Sequence, residues 1–288
     1  MDYNFETINF ELKENGIGIL TLSRPDKLNA MSFQMIEDLH ELLDHLMVNL
    51  NCRVVILKAS GRAFCAGLDL KESVVLQSKK KPDDLKEKFY FIDVPEKDII
   101  KAKMYGQWRT GQLILKMRKI NQPVIALIQG AASGAGFAFS LAADIRIAGE
   151  NAKFNNAFIK VGFSGADMGS SYHLPRLIGM SRAAEILYTG RFIEAEEAER
   201  IGLVLKIIKG GDEELYNAGL ELANNMLHKS PLGLRMTKEA INLSMDAPSL
   251  ETMIQLENRT QMLCSTSSDV MEGVKAFFEK RDPEYPLK

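Results

Sequence analysis

The chain has 288 residues, 46% hydrophobic and 26% charged, which supplies a substantial core and argues against wholesale disorder. Its 36 lysines and arginines against 38 aspartates and glutamates give a net charge of −2, without the basic excess of a nucleic-acid binder. Three cysteines, Cys52, Cys65 and Cys264, form neither a CxxC pair nor a disulfide framework, which fits a reducing, cytoplasmic compartment.

In chain order, the first ten residues carry Asp2 and Glu6 and lack an apolar signal core. Phe5, Ile8, Phe10 and Leu12 predict a strand, and Asn15-Gly16 a turn into a second strand over 17–22. Arg24-Pro25-Asp26 ends it. Ser32 predicts a helix N-cap, and Met35, Ile36, Leu39, Leu42, Leu43 and Leu46 follow at helical spacing. The apolar run 54–57 predicts a buried strand, and 61–72 a glycine-containing connection. Residues 73–106, with Pro82, Pro95 and lysine clusters, predict a helix-containing flap. Next come a helix over 112–120, a buried strand over 123–128, a small-residue loop over 130–136, an apolar helix ending near Ala143 and a strand over 144–148. The apolar stretch 131–143 is too short and too glycine-rich to span a bilayer, so no membrane partner is expected.

Buried strands alternating with helices predict an α/β fold. Beyond about Ser170 the pattern turns helical, with helices over 181–189, 194–201, 213–228, 231–244, 250–263 and 268–281 and one strand over 204–208. The expected organisation is a core over residues 1–200 followed by a mainly helical region over 201–288.

Two segments carry the chemistry. Gly61-Arg62-Ala63-Phe64-Cys65-Ala66-Gly67-Leu68-Asp69-Leu70-Lys71-Glu72 and Gly130-Ala131-Ala132-Ser133-Gly134-Ala135-Gly136 each follow a buried strand and open a helix. N–H groups at a helix start lack intrahelical partners, and small residues let a ligand approach them. Two such donors meeting at one oxygen would form an oxyanion hole. Taken singly, each loop also suits plain packing geometry. Neither the GxxxxGK[ST] nor the GxGxxG phosphate-binding pattern is present.

The order of Arg24-Pro25-Asp26-Lys27-Leu28-Asn29-Ala30, residues 61–72, Gln122-Pro123-Val124-Ile125-Ala126 with Gly134-Ala135-Gly136, residues 195–203 and residues 272–281 resembles the crotonase (enoyl-CoA hydratase/isomerase) superfamily. The likeness runs from about Phe5 to Pro286. It implies a ββα spiral core, a helical C-terminal region that packs a homotrimer or a dimer of trimers, and an acyl-CoA substrate with no separate cofactor or metal. By motif position it implies oxyanion donors at the Leu68 and Ala135 N–H groups. It also implies substrate contacts from Lys27, Ala66, Gly67, Asp69, Leu70 and Gly134, and from Lys280 near the CoA phosphates. An exposed helix-end lysine is the other reading of Lys280.

The sequence departs from the family's hydratases at their two glutamates, which fall here on Ala138 and Phe158. Holding and activating one water takes two carboxylates, so ordinary hydration is not expected. Asp167, in Asp167-Met168-Gly169, resembles the catalytic aspartate of the dienoyl-CoA isomerase branch. It is either an acid/base or the N-cap of a helix beginning near Ser170. His173 reads as a packed core histidine, Asp69 and Glu72 as first-turn acids, and Asp144 as a strand brace. Tyr105 and Trp108 line an acyl pocket or simply pack. The expected activity is double-bond isomerisation or atypical hydration. The alternatives are decarboxylation or C–C cleavage on the same scaffold, or acyl-CoA binding without turnover.

Overall fold

The computed structural model describes residues 4–75, 86, 88, 89, 95 and 98–285. Most of the expected flap at 73–106 lies outside these residues. Its last part, 99–106, is helical, because the helix expected over 112–120 begins much earlier.

The strands are β1 (Ile8–Leu12), β2 (Ile17–Leu22), β3 (Val54–Ala59), β4 (Ala63–Cys65), β5 (Val124–Ile128), β6 (Ala131–Ser133), β7 (Ile145–Gly149), β8 (Lys153–Asn155), β9 (Phe192–Glu194) and β10 (Lys206–Ile208). The helices of the core are α1 (Phe33–Val48), α2 (Leu70–Val75), α3 (Ile99–Lys119), α4 (Ala135–Ala142), α5 (Ser170–Ile178), α6 (Met180–Thr189) and α7 (Ala195–Arg200). The rest are α8 (Asp212–Leu227), α9 (Pro231–Ser244), α10 (Leu250–Ser265) and α11 (Ser268–Glu279).

Among the described residues the strands form two sheets, in the orders β1-β2-β3-β5-β7-β10 and β4-β6-β8-β9. Only the β1–β2 and β8–β9 pairs are antiparallel. The chain therefore winds as a spiral. Each turn runs from the large sheet to the small sheet and into a helix: β3, β4, α2; then β5, β6, α4; then β7, β8 and, after a longer connection, α5. Successive turns stack through parallel pairing, Ala63 with Ala131 and Ser133 with Asn155. Equivalent points on consecutive turns become neighbours in space, and this brings the two glycine-containing segments together.

Strand alternation sets the core on both faces of the large sheet. Leu20, Leu22, Val55, Leu57, Val124 and Ala126 face α1 and α4, while Ile19, Ile56, Ile125, Leu127 and Ile147 face α8. Helix α1 starts where its sequence predicts, with Ser32 Oγ accepting the Met35 N–H at 3.1 Å. Asp144 is a brace: it accepts the Val124 N–H at 2.8 Å and pairs with Arg118 at 2.7 Å and Lys238 at 3.0 Å. No helix of the described residues is long and apolar enough to cross a membrane.

Candidate active site

The site is built where the small-sheet strands end. After β4 the backbone passes through Gly67 at φ +103°, and after β6 through Gly134 at φ +48°. A Cβ added to Gly67 would sit 3.0 Å from the Ser133 carbonyl oxygen and 3.6 Å from the Ala135 nitrogen. A Cβ on Gly136 would strike the Cys65 carbonyl oxygen at 2.3 Å. Glycine at these two positions lets one loop lie directly against the other.

The Leu68 strand edge faces Met31. The Met31 N–H donates to the Gly67 carbonyl at 2.7 Å, and the Asp69 N–H donates to the Met31 carbonyl at 2.9 Å. In this parallel bridge the Leu68 N–H points the other way. Ala135 opens α4, so its N–H has no intrahelical acceptor. Neither N–H has a hydrogen-bond partner among the described residues. At the far end of α4, the buried Arg146 guanidinium donates to the carbonyls of Ser140, Leu141 and Ala143, and Arg118 to that of Ala142. These cations cover the negative end of the α4 dipole and leave its positive end at Ala135.

The segment of Lys27 is tied alongside. Asn29, fully buried, donates to the Ser60 and Ala63 carbonyls at 2.8 Å, and the Ala66 N–H donates to the Leu28 carbonyl at 3.0 Å. Arg24 pairs with Asp69 at 3.2 Å. Lys27, Ala66 and Leu70 are exposed beside this seam, and Leu68 and Asp69 are half-buried. Asp69 is held by Arg24 and accepts the Lys71 N–H. Glu72 accepts the Phe33 N–H at 2.8 Å, so it serves the start of α1, not only its own helix. Lys280 lies elsewhere in the fold, exposed at the end of α11 with φ +54°.

The second and third spiral turns supply the remaining residues of interest. Ala138 is buried on α4. The Phe158 ring, also buried, lies 3.7 Å from where a Gly134 Cβ would be. The two positions where the resemblance places the hydratase glutamates are therefore both apolar and buried. Asp167 stands half-buried before α5 and does not cap it. Gly169 holds the N-cap position, with no side-chain cap bond. Asp167 Oδ1 instead accepts the Met168 N–H at 2.7 Å and the Gln107 side chain at 2.5 Å. Burial pushes its carboxyl above the ordinary aspartate value, and these two donors oppose the rise. Met168 holds φ +45°, a strained conformation for this residue that costs about 1–3 kcal/mol.

Met168 and Gly169 also border a cavity of about 930 Å³, lined further by Trp108, Leu115, Tyr172 and His173 but by neither Leu68 nor Ala135. His173 is buried, and desolvation together with Arg118, Arg146 and Arg176 pushes its pKa down to about 4, so it is neutral at pH 7. Cys65 is fully buried and its thiol is pushed up to about 12, which makes it unreactive. Sequence reasoning missed Gln107 and Asn29. Gln107 carries no signal, because a glutamine on an exposed helix face reads as solvated.

A family model described as enoyl-CoA hydratase/isomerase matches residues 12–92 and 96–287. Across 274 residues the chain is 37% identical to "Probable enoyl-CoA hydratase EchA12" of Mycobacterium tuberculosis, covering 93% of this chain and 89% of that protein. It is 34% identical over 277 residues to 1,2-epoxyphenylacetyl-CoA isomerase of Escherichia coli, with 96% and 97% coverage. The crystal structure of an enoyl-CoA hydratase from Bacillus anthracis superposes with a TM-score of 0.84 at 31% identity, covering 98% of this chain and 100% of that one.

Proposed function

The chain belongs to the enoyl-CoA hydratase/isomerase family, and from that membership we propose that it isomerises a double bond in an acyl-CoA thioester with Asp167 as its proton carrier. The observation that carries this reading is the pairing of Asp167, a half-buried carboxyl group in no ion pair among the described residues, with apolar residues at Ala138 and Phe158. Two acids are needed to hold and split a water, whereas one suffices to move a proton from one carbon to another. The relatives include both a 1,2-epoxyphenylacetyl-CoA isomerase and probable enoyl-CoA hydratases, so the choice of isomerase rests on the residues.

In this reading the thioester oxygen sits between the Leu68 and Ala135 N–H groups. Asp167, as carboxylate, takes a proton from the acyl α-carbon. The electron pair moves onto the thioester oxygen, giving a dienolate conjugated with the β,γ double bond. The two N–H groups and the α4 dipole stabilise that charge, each donor typically contributing about 2.7–4 kcal/mol. Asp167 then returns the proton at the γ-carbon, and the double bond ends between the α and β carbons. The apolar surface of Ala138 and Phe158 keeps water from the dienolate. The distal acyl chain is assigned to the cavity past Met168, and the CoA moiety to the seam of Lys27, Ala66, Gly67, Asp69 and Leu70. Lys280 is assigned to the CoA phosphates and α9–α11 to a homotrimer interface, which fits their exposed apolar residues.

Asp167→Asn tests the reading, since the amide oxygen still accepts from Gln107 and Met168 but takes no proton. With 3-hexenoyl-CoA as probe, the expected loss in kcat is about 10²–10⁴-fold, with KM little changed. Wild-type turnover by this variant would exclude Asp167. Hydration of 2-hexenoyl-CoA at a rate matching isomerisation would overturn the isomerase assignment.

A further inference from the structure

The proton carrier is itself held from a distant element. Gln107 lies 60 residues before Asp167, on α3, and its side-chain amide donates to Asp167 Oδ1 at 2.5 Å. The Met168 N–H reaches the same oxygen at 2.7 Å. Both donors fall on Oδ1, and Oδ2 has no hydrogen-bond partner among the described residues. An aspartate carboxyl turns in a broad torsional well, so little else fixes its plane.

Resting on the reading of Asp167 given above, we infer that Gln107 is a positioning residue, which clamps Oδ1 and leaves Oδ2 as the oxygen that takes and returns the proton. Proton transfer is sensitive to such alignment, and a misplacement of about 1 Å can cost about 10²-fold. Among the described residues, burial, the Met168 N–H and Gln107 set the titration of the Asp167 carboxyl, and none of these is a charged side chain. The residues that follow each of the two partners, Trp108 and Met168, both border the cavity of about 930 Å³.

The test uses the full chain with 3-hexenoyl-CoA, reading the conjugated product by ultraviolet absorbance. A carbon-13 titration of the carboxyl groups accompanies it, with Asp167→Asn assigning the resonance. Gln107→Leu should lower kcat about 10–100-fold with KM within about twofold. It should also raise the Asp167 midpoint by about half a pH unit or more, because a donor to the charged form is gone. Gln107→Glu should raise it further, and Gln107→Lys, which restores a donor, should bring it back to the wild-type value or below. A purely packing role for Gln107 would leave the midpoint of Gln107→Leu in place, while the Glu and Lys variants confirm that position 107 faces the carboxyl. An unmoved midpoint in Gln107→Leu overturns the positioning role even where Asp167→Asn is inactive. Full activity in Asp167→Asn overturns instead the assignment of Asp167. If the probe is not turned over, the titration alone decides.

Discussion

Asp167 is costly to the fold at neutral pH and useful to the site for the same reason. Burial raises its titration above that of an unfolded aspartate, so the folded chain holds this proton more tightly than the unfolded chain. Its contribution to stability is complete below the unfolded pKa and is lost as pH rises through the raised folded value. Above that value the folded protein carries a desolvated carboxylate. Asp167→Asn removes that charge and keeps both acceptor bonds at Oδ1. The variant should melt at a higher temperature than wild type at pH 7, with the difference shrinking toward pH 4. The proposed reaction needs the carboxylate, so kcat/KM should fall on acidification along a limb centred above the ordinary aspartate value. Equal melting temperatures at both pH values would show that Asp167 is fully solvated.

The elements that form the site are short, and their apposition is the feature most open to direct attack. Gly136 on α4 faces the Cys65 backbone on β4, where a Cβ would stand 2.3 Å from the carbonyl oxygen. A carbonyl cannot rotate out of the way, so Gly136→Ala must push α4 from β4. Such overpacking typically costs about 1–3 kcal/mol and would spread Leu68 from Ala135. Denaturant unfolding should show the loss, and kcat should fall with it. Gly106→Ala on α3, with nothing within 4 Å of the new Cβ, should instead stabilise by about 0.5–1 kcal/mol. Much of this was readable from the chain. The two glycine-containing segments, the Ser32 cap and the Asp144 brace follow from residue type and spacing. The small sheet did not, because β4, β6, β8 and β9 are each three residues long, too short for a period to be read from the sequence. The strand expected over 204–208 shortens to Lys206–Ile208 at the sheet edge. The early start of α3 was hidden too: its buried residues thin out before Thr110, leaving no apolar stripe to mark the first half. Gln107 and Asn29 act through side-chain hydrogen bonds to residues distant in sequence, which leave no periodic trace.

At the scale of the whole molecule, the C-terminal helices have more apolar surface than a lone chain can use. Leu250 is 76% exposed, Met271 75%, Phe277 79% and Phe278 77%, all on α10 and α11. Exposed large apolar side chains of this kind, with the Phe277 and Phe278 rings in contact, suit an association surface. Fully burying a phenylalanine side chain is typically worth about 1.5–3 kcal/mol, so several such residues per protomer could hold a homotrimer together at micromolar concentration. The proposed assembly and the proposed CoA contact are linked, because Lys280 stands two residues after Phe278 at the end of α11. Replacing both aromatics with aspartate puts like charges where the copies would meet. Sedimentation velocity should show wild type at the mass of a trimer or of a dimer of trimers and the double variant at that of a monomer, with circular dichroism unchanged. If Lys280 meets the CoA phosphates only in the assembled form, the monomeric variant should also bind CoA more weakly. Its affinity should then match that of Lys280→Ala in the wild-type assembly. A wild-type chain that sediments as a monomer would reject the interface, and a monomeric variant with undiminished CoA affinity would separate Lys280 from it.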